Sequence, residues 1–511
     1  MIRRHISNAS WNTIAFIVQM ALLVAATPVF IHGIGMDGYG IWMLVSTLVG
    51  FNGLASLGLT DATVKFLSQY RAEGNLKGIC ETIGNTFAIY LLLGVSFSVL
   101  IAFFSPLIMG RAFNVGSVPV QTAIQALQIG AIAFTLRLLD SFFSSIIQAY
   151  EHYDWLSQID VVISVALVLS QMGLVQREYG LNALLVAGVV ANLVSAIIKL
   201  LLVKQFLKLP GVFTPRFSGG KFLEVLDFGF FTWLQSLNSL LFGQADRLLI
   251  AAMMDAKILG YYSVCLRIAS LVQAIPARTS SFIFPLASYQ NALGDIGKLR
   301  TTYFTCQNLT IALSISLGIP VFVFSEALLS LWISPEFARD SSLLLRILIV
   351  TYAFLSTTIL PFYYLNGAGF PRLNAAFGWA GSALTLGSMV VLVPPLGAIG
   401  AAVSKLVAHT LSFICYPILH RRVFSDCRWY VGILVVLPIV IAFSAATILC
   451  IILPQPPTLF LFILESGVLG LFSIVASIPI TFFVNPAPGI PLARLLRSLV
   501  NSTFITRKLF T

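Results

Sequence analysis

The stretch YYSVCLRIASLVQAIPARTSSFIFPLASY, residues 261–289, sets Arg267 and Arg278 inside a run otherwise apolar enough to be buried in lipid. The two are eleven residues apart, about three helical turns with a remainder of about 20°, so both project from one helix face about 16 Å apart. An arginine near a bilayer centre costs about 2.5 to 3.5 kcal/mol on insertion scales, so such residues turn towards protein or a wet cavity. Each could snorkel to its nearer interface, but two on one face are hard to hide from lipid separately, and a cavity-lining stripe is the expectation. Guanidinium forks match carboxylate and phosphate oxygens two bonds at a time. The chemistry on offer is recognition of an anion.

Other apolar runs carry Arg137 with Asp140, Asp246 next to Arg247, Arg346, and Lys405 with His409. Arg137 and Asp140 are three apart and are expected to neutralise each other as an ion pair on one helix face. Asp246 and Arg247 point about 100° apart and cannot share one partner helix equally. Lys405 and His409 share a face, a poor structural device for two cations but a plausible anion contact. In the second half of the chain Arg247, Arg267, Arg278, Arg346 and Lys405 stand against one intramembrane carboxylate, Asp246. A cavity lined by these groups is positive and suits a phosphate-bearing or acidic-sugar cargo, whereas a site for cationic drugs would offer carboxylates. Tyrosine pairs at 261–262 and 363–364 are candidates for stacking on sugar or lipid faces.

Composition fixes the kind of element that positions these charges. Of 511 residues 58% are hydrophobic and only 10% charged, against about a quarter charged in a soluble domain. Windows of about 20 apolar residues cross a bilayer core as helix. Fourteen are predicted, near 11–31, 39–60, 84–108, 121–147, 157–176, 181–203, 226–250, 259–284, 303–325, 342–364, 373–395, 397–419, 430–453 and 458–483. The first is longer than a signal-peptide core and leads directly into another span, so it is expected to be retained. Pro28, Pro276, Pro320, Pro361 and Pro438 fall inside predicted spans, where each removes a backbone donor and tends to kink its helix.

The net charge of +11 could suggest nucleic acid, but an N-inside arrangement puts most of the 30 Lys and Arg in cytoplasmic segments, as the inside-positive bias requires. No nucleic-acid partner is expected. Clusters such as Lys204, Lys208, Arg216 and Lys221, or Arg421, Arg422 and Arg428, set topology and touch anionic lipid. Six cysteines and five histidines are scattered with no CxxC pair, so neither a disulfide framework nor a metal site is expected. There is no Walker loop, GxSxG or HExxH, hence no direct use of ATP and no hydrolytic centre. The external segments are too short to hold the catalytic residues of a membrane polymerase or ligase, so the expectation is a protein that is not an enzyme.

The first twelve spans divide six and six about KQFLKLPGVFTPRFSGGKFLE, a basic connection with Gly and Pro. Gly40 and Gly260, Ser68 and Ser288, Ala72 and Ala292, and Gly74 and Gly294 all stand 220 apart, while Gly180 and Gly397, and Val186 and Val403, stand 217 apart. Near-equal offsets joined to matching helix-loop patterns predict an internal repeat. Because each half holds six helices, the repeat is parallel, about an axis along the membrane normal. The fold class expected is an all-α polytopic membrane protein of about 14 transmembrane helices, two six-helix lobes plus two extra C-terminal helices. Its parts are lobes over 1–203 and 226–420, a cytoplasmic linker over 204–225, the extra helices over 421–485 and a cytoplasmic tail over 486–511.

The runs GIGMDGYGIWMLVSTLVGFNGLASLGLTDATVKFLSQYRAEG, ADRLLIAAMMDAKILGYYSV, YYLNGAGFPRLN and LGAIGAAVSKL resemble the polysaccharide-transporter, O-antigen flippase-like branch of the multidrug/oligosaccharidyl-lipid/polysaccharide exporter superfamily. The resemblance covers residues 5 to 485, and its motifs mark helix packing and turns, so they specify fold better than cargo. It implies a pair of six-helix lobes in the bacterial cytoplasmic (inner) membrane, both termini cytoplasmic. It also implies alternating access that carries an undecaprenyl-pyrophosphate-linked oligosaccharide to the periplasmic leaflet for surface polysaccharide synthesis. A proton or sodium gradient would drive transport with no bound cofactor. Membrane lipids, the lipid-linked oligosaccharide, and possible polymerase and chain-length machinery would be its partners. Asp246, in ADR, stands where such flippases often carry an acidic residue and is the candidate for coupling or gating, together with Arg137 and Asp140. Asp61, with Lys65 one turn on, is expected to close an inner-mouth ion pair. Fourteen spans also resemble the lipid II flippase branch, and Asp140 and Asp160 keep a cation-coupled multidrug antiporter as a rival.

Overall fold

The computed structural model describes residues 2–56, 58–207, 237, 243–409, 411–424 and 431–484. They form two compact units, Met1–Tyr261 and Tyr262–Thr511, and no strand occurs among the described residues. In hydrocarbon every backbone donor and acceptor has to be satisfied within the chain, which leaves helices as the usable element for these apolar runs. The first unit contains α1 (Ile2–Gly50), α2 (Asn52–Ala55), α3 (Leu59–Ala72), α4 (Leu76–Leu107), α5 (Val120–Ala149), α6 (Tyr153–Gln176), α7 (Leu181–Leu207) and the helical run α8 over 243–253. The first turn of α9 (Ala256–Thr279) also belongs to it, and the rest of α9 opens the second unit. There follow α10 (Ile283–Ala292), α11 (Ile296–Val323), α12 (Ser325–Trp332), α13 (Pro335–Ser356), α14 (Ile359–Gly367), α15 (Pro371–His409), α16 (Ser412–Val423), α17 (Val431–Ile452) and α18 (Leu459–Val484).

Eleven helices among the described residues are long and apolar enough to cross a bilayer, where fourteen spans were expected. Two of the eleven fold back on themselves. In α1, Gly35 takes φ 72°, ψ 169°, a conformation open to glycine and strained for other residues. Phe30 and Trp42 would lie about 18 Å apart along a straight helix, yet their ring centroids are 4.8 Å apart. In α15, Gly397 takes φ 59°, ψ −138°, and Gly400 returns against the carbonyl of Leu392. Gly35 falls in the gap between the predicted spans 11–31 and 39–60, and Gly397 is the first residue of the predicted span 397–419. The predicted span 226–250 lies mostly outside the described residues, as do the linker from 208 on and the tail.

In the first unit α5 is central, packed by α1, α3, α4 and α7; in the second α11 is central, packed by α10, α13, α17 and α18. The additional helices α17 and α18 therefore lean on α11. One face of α11 buries Gln307, Asn308, Thr310 and Ser314. A polar stripe at the centre of a membrane unit is held by partners rather than by lipid, and here Gln307 donates to Thr357 O at 2.9 Å and Thr310 Oγ1 pairs with Ser280 Oγ at 3.0 Å.

The repeat is written in the turns. Helix α3 ends at Ala72, Gly74 has φ 66°, and Asn75 accepts from the Gly78 N–H at 2.9 Å to cap α4. Moved by 220, α10 ends at Ala292, Gly294 has φ 69°, and Asp295 accepts from the Lys298 N–H at 3.0 Å to cap α11. A second pair agrees at 218: α5 ends at Ala149 and Glu151 has φ 64°, as α14 ends at Gly367 and Gly369 has φ 86°. The docking of these ends matches too. Ser68 Oγ and Arg71 donate to Ala149 O at 3.4 and 3.3 Å, and Ser288 packs on Gly367.

The two caps differ in one respect. The Lys298 backbone N–H holds the Asp295 carboxyl below the usual carboxylate range. A lowered folded pKa gives stability that is present above the unfolded value and lost as pH falls through the folded one; Asn75 does not titrate. Asn75→Ala is therefore expected to cost about 1 kcal/mol, read as a lower thermal unfolding midpoint in detergent at neutral and acid pH alike. Asp295→Ala should lower the midpoint at neutral pH and leave it unchanged once the carboxyl is protonated.

Candidate functional site: the intramembrane charges

The first unit solves its charge problem internally. Lys199 on α7 is 1% exposed, and an ammonium buried among apolar helices needs compensating charge. It has two carboxylates: Asp140 on α5 at 2.8 Å and Asp160 on α6 at 3.1 Å. Ser195, one turn before Lys199, donates to the other oxygen of Asp140 at 2.7 Å. Three helices are thus tied by one lysine. The expected Arg137–Asp140 ion pair does not form; Arg137 is exposed, and the carboxylate turns to the buried cation on the neighbouring helix.

Nor does an ion pair join Asp61 to Lys65. Both side chains are exposed on α3, and the Lys65 ammonium sits 5.1 Å from the Phe66 ring centroid. A pair in solvent has little to gain from closing. On α8, Asp246 is 1% exposed and accepts from the Arg247 backbone N–H at 2.9 Å, while Arg247 is half-buried with its Nε shielded from solvent.

The second unit is different. Arg267 lies half-buried in α9 and Arg278 is exposed in its last turn, beyond Pro276. Tyr363 donates to the carbonyl of Ala277 at 3.1 Å, which ties α14 to α9 beside Arg278; its neighbour Tyr364 is buried in the helix core. Arg346 on α13 donates from Nε to Ser325 Oγ at 2.7 Å and lies 6.0 Å from the Phe322 ring. Because α9 and α11 run in opposite directions, Ser325 stands at the far end from Arg278. Lys405 and His409 on α15 are buried, with the Lys405 ammonium 5.9 Å from the Tyr352 ring and His409 Nε2 3.3 Å from Thr357 Oγ1. The predicted cations are thus spread over three helices of this unit rather than gathered at one point. Helices α9, α11, α14 and α15 contain no Asp or Glu at all.

Thr357 is the centre of the buried polar network. Pro361 has no N–H to return to the carbonyl four residues earlier, and the helix is interrupted between α13 and α14 at that point. The released Thr357 carbonyl accepts from Tyr416 Oη at 2.7 Å and from Gln307 Nε2 at 2.9 Å. Helices α11, α15 and α16 therefore meet at one broken turn.

A family model described as "Polysaccharide biosynthesis protein" matches residues 34–339, more than half of the chain. The chain belongs to the polysaccharide biosynthesis protein family. The matched region holds the Lys199 cluster, Asp246, Arg267 and Arg278, and ends before Arg346, Lys405 and His409. A curated relative, the "Putative O-antigen transporter" of Shigella flexneri, is 21% identical over 82% of this chain and 98% of its own length. "Uncharacterized membrane protein EpsK" of Bacillus subtilis is 22% identical over 70% of each. Among solved structures, "Lipid II flippase MurJ, inward closed conformation" aligns with TM-score 0.69 over 92% of this chain and 98% of that one at 15% identity. An inward-facing multidrug resistance MATE family transporter of the MOP superfamily aligns with TM-score 0.62 over 78% and 94%, also at 15%. These likenesses establish the transporter fold of this family member, a multi-pass membrane protein.

Sequence reasoning missed Lys199 and Thr357. Each had a signal: Ser195 and Lys199 are one turn apart on one face of a span, and a proline marks the carbonyl four residues before it. Lys199→Met should leave two carboxylates facing each other without their cation and cost about 3 kcal/mol or more, read as a large fall in the thermal midpoint of the detergent-purified protein. Asp160→Asn, at a half-exposed site, should cost under about 1 kcal/mol.

Proposed function

We propose that this family member is a secondary-active flippase moving an undecaprenyl-pyrophosphate-linked oligosaccharide from the cytoplasmic to the periplasmic leaflet of a bacterial inner membrane, for surface polysaccharide or O-antigen synthesis. The observation that carries the reading is the charge of the second unit: Arg267, Arg278 and Lys405 stand on helices that hold no carboxylate of their own. A pyrophosphate crossing beside such helices finds forks to bind it and no acidic group to repel it. Arg267 and Arg278 are the cargo contacts in this reading. The more enclosed Lys405, with His409, and Arg346 at its serine raise the local positive potential. Both termini are placed in the cytoplasm, where the basic segments lie.

Coupling to a proton or sodium gradient is assigned to Asp246 beside Arg247. The rival of a drug and cation antiporter rested on Asp140 and Asp160, and both are already occupied by Lys199. A cationic drug would have to compete with that lysine for them.

The test uses a strain that lacks its own flippase for a known surface glycan and reads which leaflet holds the lipid-linked glycan. The wild-type chain is expected to restore the periplasmic pool. Arg267→Ala and Arg278→Ala each remove charged hydrogen bonds of about 1.5–3 kcal/mol, so each should slow flipping about tenfold or more at equal protein level, and the pair should trap the glycan inside. Unchanged flipping by the double variant would remove the arginines from the site. Drug resistance on overexpression, lost in Asp140→Asn and kept in the double variant, would instead favour the antiporter. In vesicles with an imposed proton or sodium gradient, Asp246→Asn should abolish gradient-driven flipping while leaving binding of the lipid-linked glycan intact.

A further inference from the structure

Helix α5 carries Gln121, Gln125 and Gln128, four and three residues apart and hence on one helix face. All three are exposed. The other sides of α5 are taken. Val45 and Val49 of α1 lie against Gly130, Ser98 of α4 donates to the Ala131 carbonyl at 2.6 Å, and Thr135 donates to the Gly94 carbonyl of α4 at 2.8 Å. On the flank of the stripe Asn182 of α7 donates to Gln125 Oε1 at 3.0 Å. The side chains of Gln121 and Gln128 have no hydrogen-bond partner among the described residues. The stripe continues into the exposed Ile132, and at the same end of the unit Phe103 and Leu107 of α4 and Val186 of α7 are exposed as well.

Carboxamides are out of place on a face turned to lipid. The 30 residues of α5 make about 45 Å of helix, the thickness of a bilayer with its headgroups. Gln128 stands about 12 Å from the start, beyond the roughly 5 to 8 Å of headgroup layer on one side. At that depth an amide without a partner is costly, and Asn and Gln side chains bond across helices instead. The second unit shows how such a place is covered. The offset of 218 that matches the end of α5 to the end of α14 carries Gln128 to Arg346. Arg346 lies 6.0 Å from the Phe322 ring, which meets Phe443 of α17 at 5.3 Å, and Cys450 of α17 reaches the Phe322 carbonyl at 3.9 Å. Helix α17 thus covers α11 and α13 on that side. In the first unit no helix among the described residues stands against α4 and α5 as α17 does against α11 and α13.

We infer that the α5 stripe is a docking surface for a second copy of this chain, with Gln121, Gln125 and Gln128 of the two copies pairing about a two-fold axis along the membrane normal. Copies inserted in the same direction and related by such an axis hold identical residues at identical depth, so the stripe meets itself. A carboxamide is donor and acceptor at once and is therefore its own complement. A charged stripe would repel its image, but residues 113–136 contain no charged side chain. The second copy takes in the first unit the place that α17 takes in the second. Such an interface forms whatever the chain transports.

The experiment labels the full chain with a donor or an acceptor dye and reads energy transfer between copies in phospholipid vesicles as the protein is diluted with lipid. Wild type is expected to show transfer that fades only at high dilution. An interhelical carboxamide pair is worth about three- to thirtyfold in association, so Gln121→Leu/Gln128→Leu should weaken it about tenfold or more. Gln125 is kept so that Asn182 retains its partner, and an unchanged thermal midpoint in detergent shows the variant to be folded. With the six cysteines replaced, Gln128→Cys should cross-link copy to copy on oxidation, while Ile463→Cys, exposed on α18, should not. Wild type that stays monomeric at every dilution would overturn the inference, as would transfer that the double leucine variant leaves unchanged. In cells, a Gln128→Cys adduct with a mass other than twice that of the chain would assign the stripe to a different protein and overturn it too.

Discussion

In a bilayer core a carbonyl released from its helix has no water to accept from, and the whole second unit is arranged around one such group. Pro361 frees the Thr357 carbonyl, and the cost is met by Tyr416 and Gln307 from two other helices. His409 comes to the Thr357 hydroxyl from a third. The broken turn thereby fixes the rotation of α11, α15 and α16 about their own axes, and with α15 the position of Lys405 one turn from His409. A buried amide, two hydroxyls and an imidazole that would otherwise be liabilities in lipid become the ties that hold the unit's core in register.

The same constraint acts on charge, and the two units meet it in opposite ways. The first neutralises its buried lysine with carboxylates from two neighbouring helices. In the second, Lys405 lies against a tyrosine ring and Arg267 and Arg278 stand on α9, all on helices without acids, while Arg346 is held at a serine on α13, whose first turns carry Glu336 and Asp340. Burying positive charge without carboxylates is costly unless something else compensates it. The Lys199 cluster, which supplies its own carboxylates, bears on stability.

Much of this was legible in the sequence, and the rest was hidden for a definite reason. Apolar windows located the helices, and the chain reverses at Gly35, in the gap between two of them, and at Gly397, where the next one starts. The offset of 220 found in Ser68, Ala72 and Gly74 reappears as matched helix ends and matched caps at Asn75 and Asp295. What failed were pairings inferred along a single helix. Arg137 and Asp140 share a face, as do Asp61 and Lys65, but spacing shows only who could meet. Packing decides who does, and Asp140 was taken by a lysine 59 residues away. Sequence periodicity contains no term for that competition.

The repeat also separates what the fold needs from what it merely tolerates. Subtracting 220 from Arg267 and Arg278 gives Thr47 and Gly58. Thr47 is buried and returns its hydroxyl to the Met43 carbonyl of its own helix at 2.8 Å; Gly58 takes a left-handed turn before α3. The first repeat thus carries no charge at either place, and at the second it turns where α9 is still helical. Nothing in the architecture common to the two halves calls for an arginine there, and each costs desolvation that threonine or glycine would avoid. The charge at these two places is a property of the second repeat and not of the fold that the two repeats share.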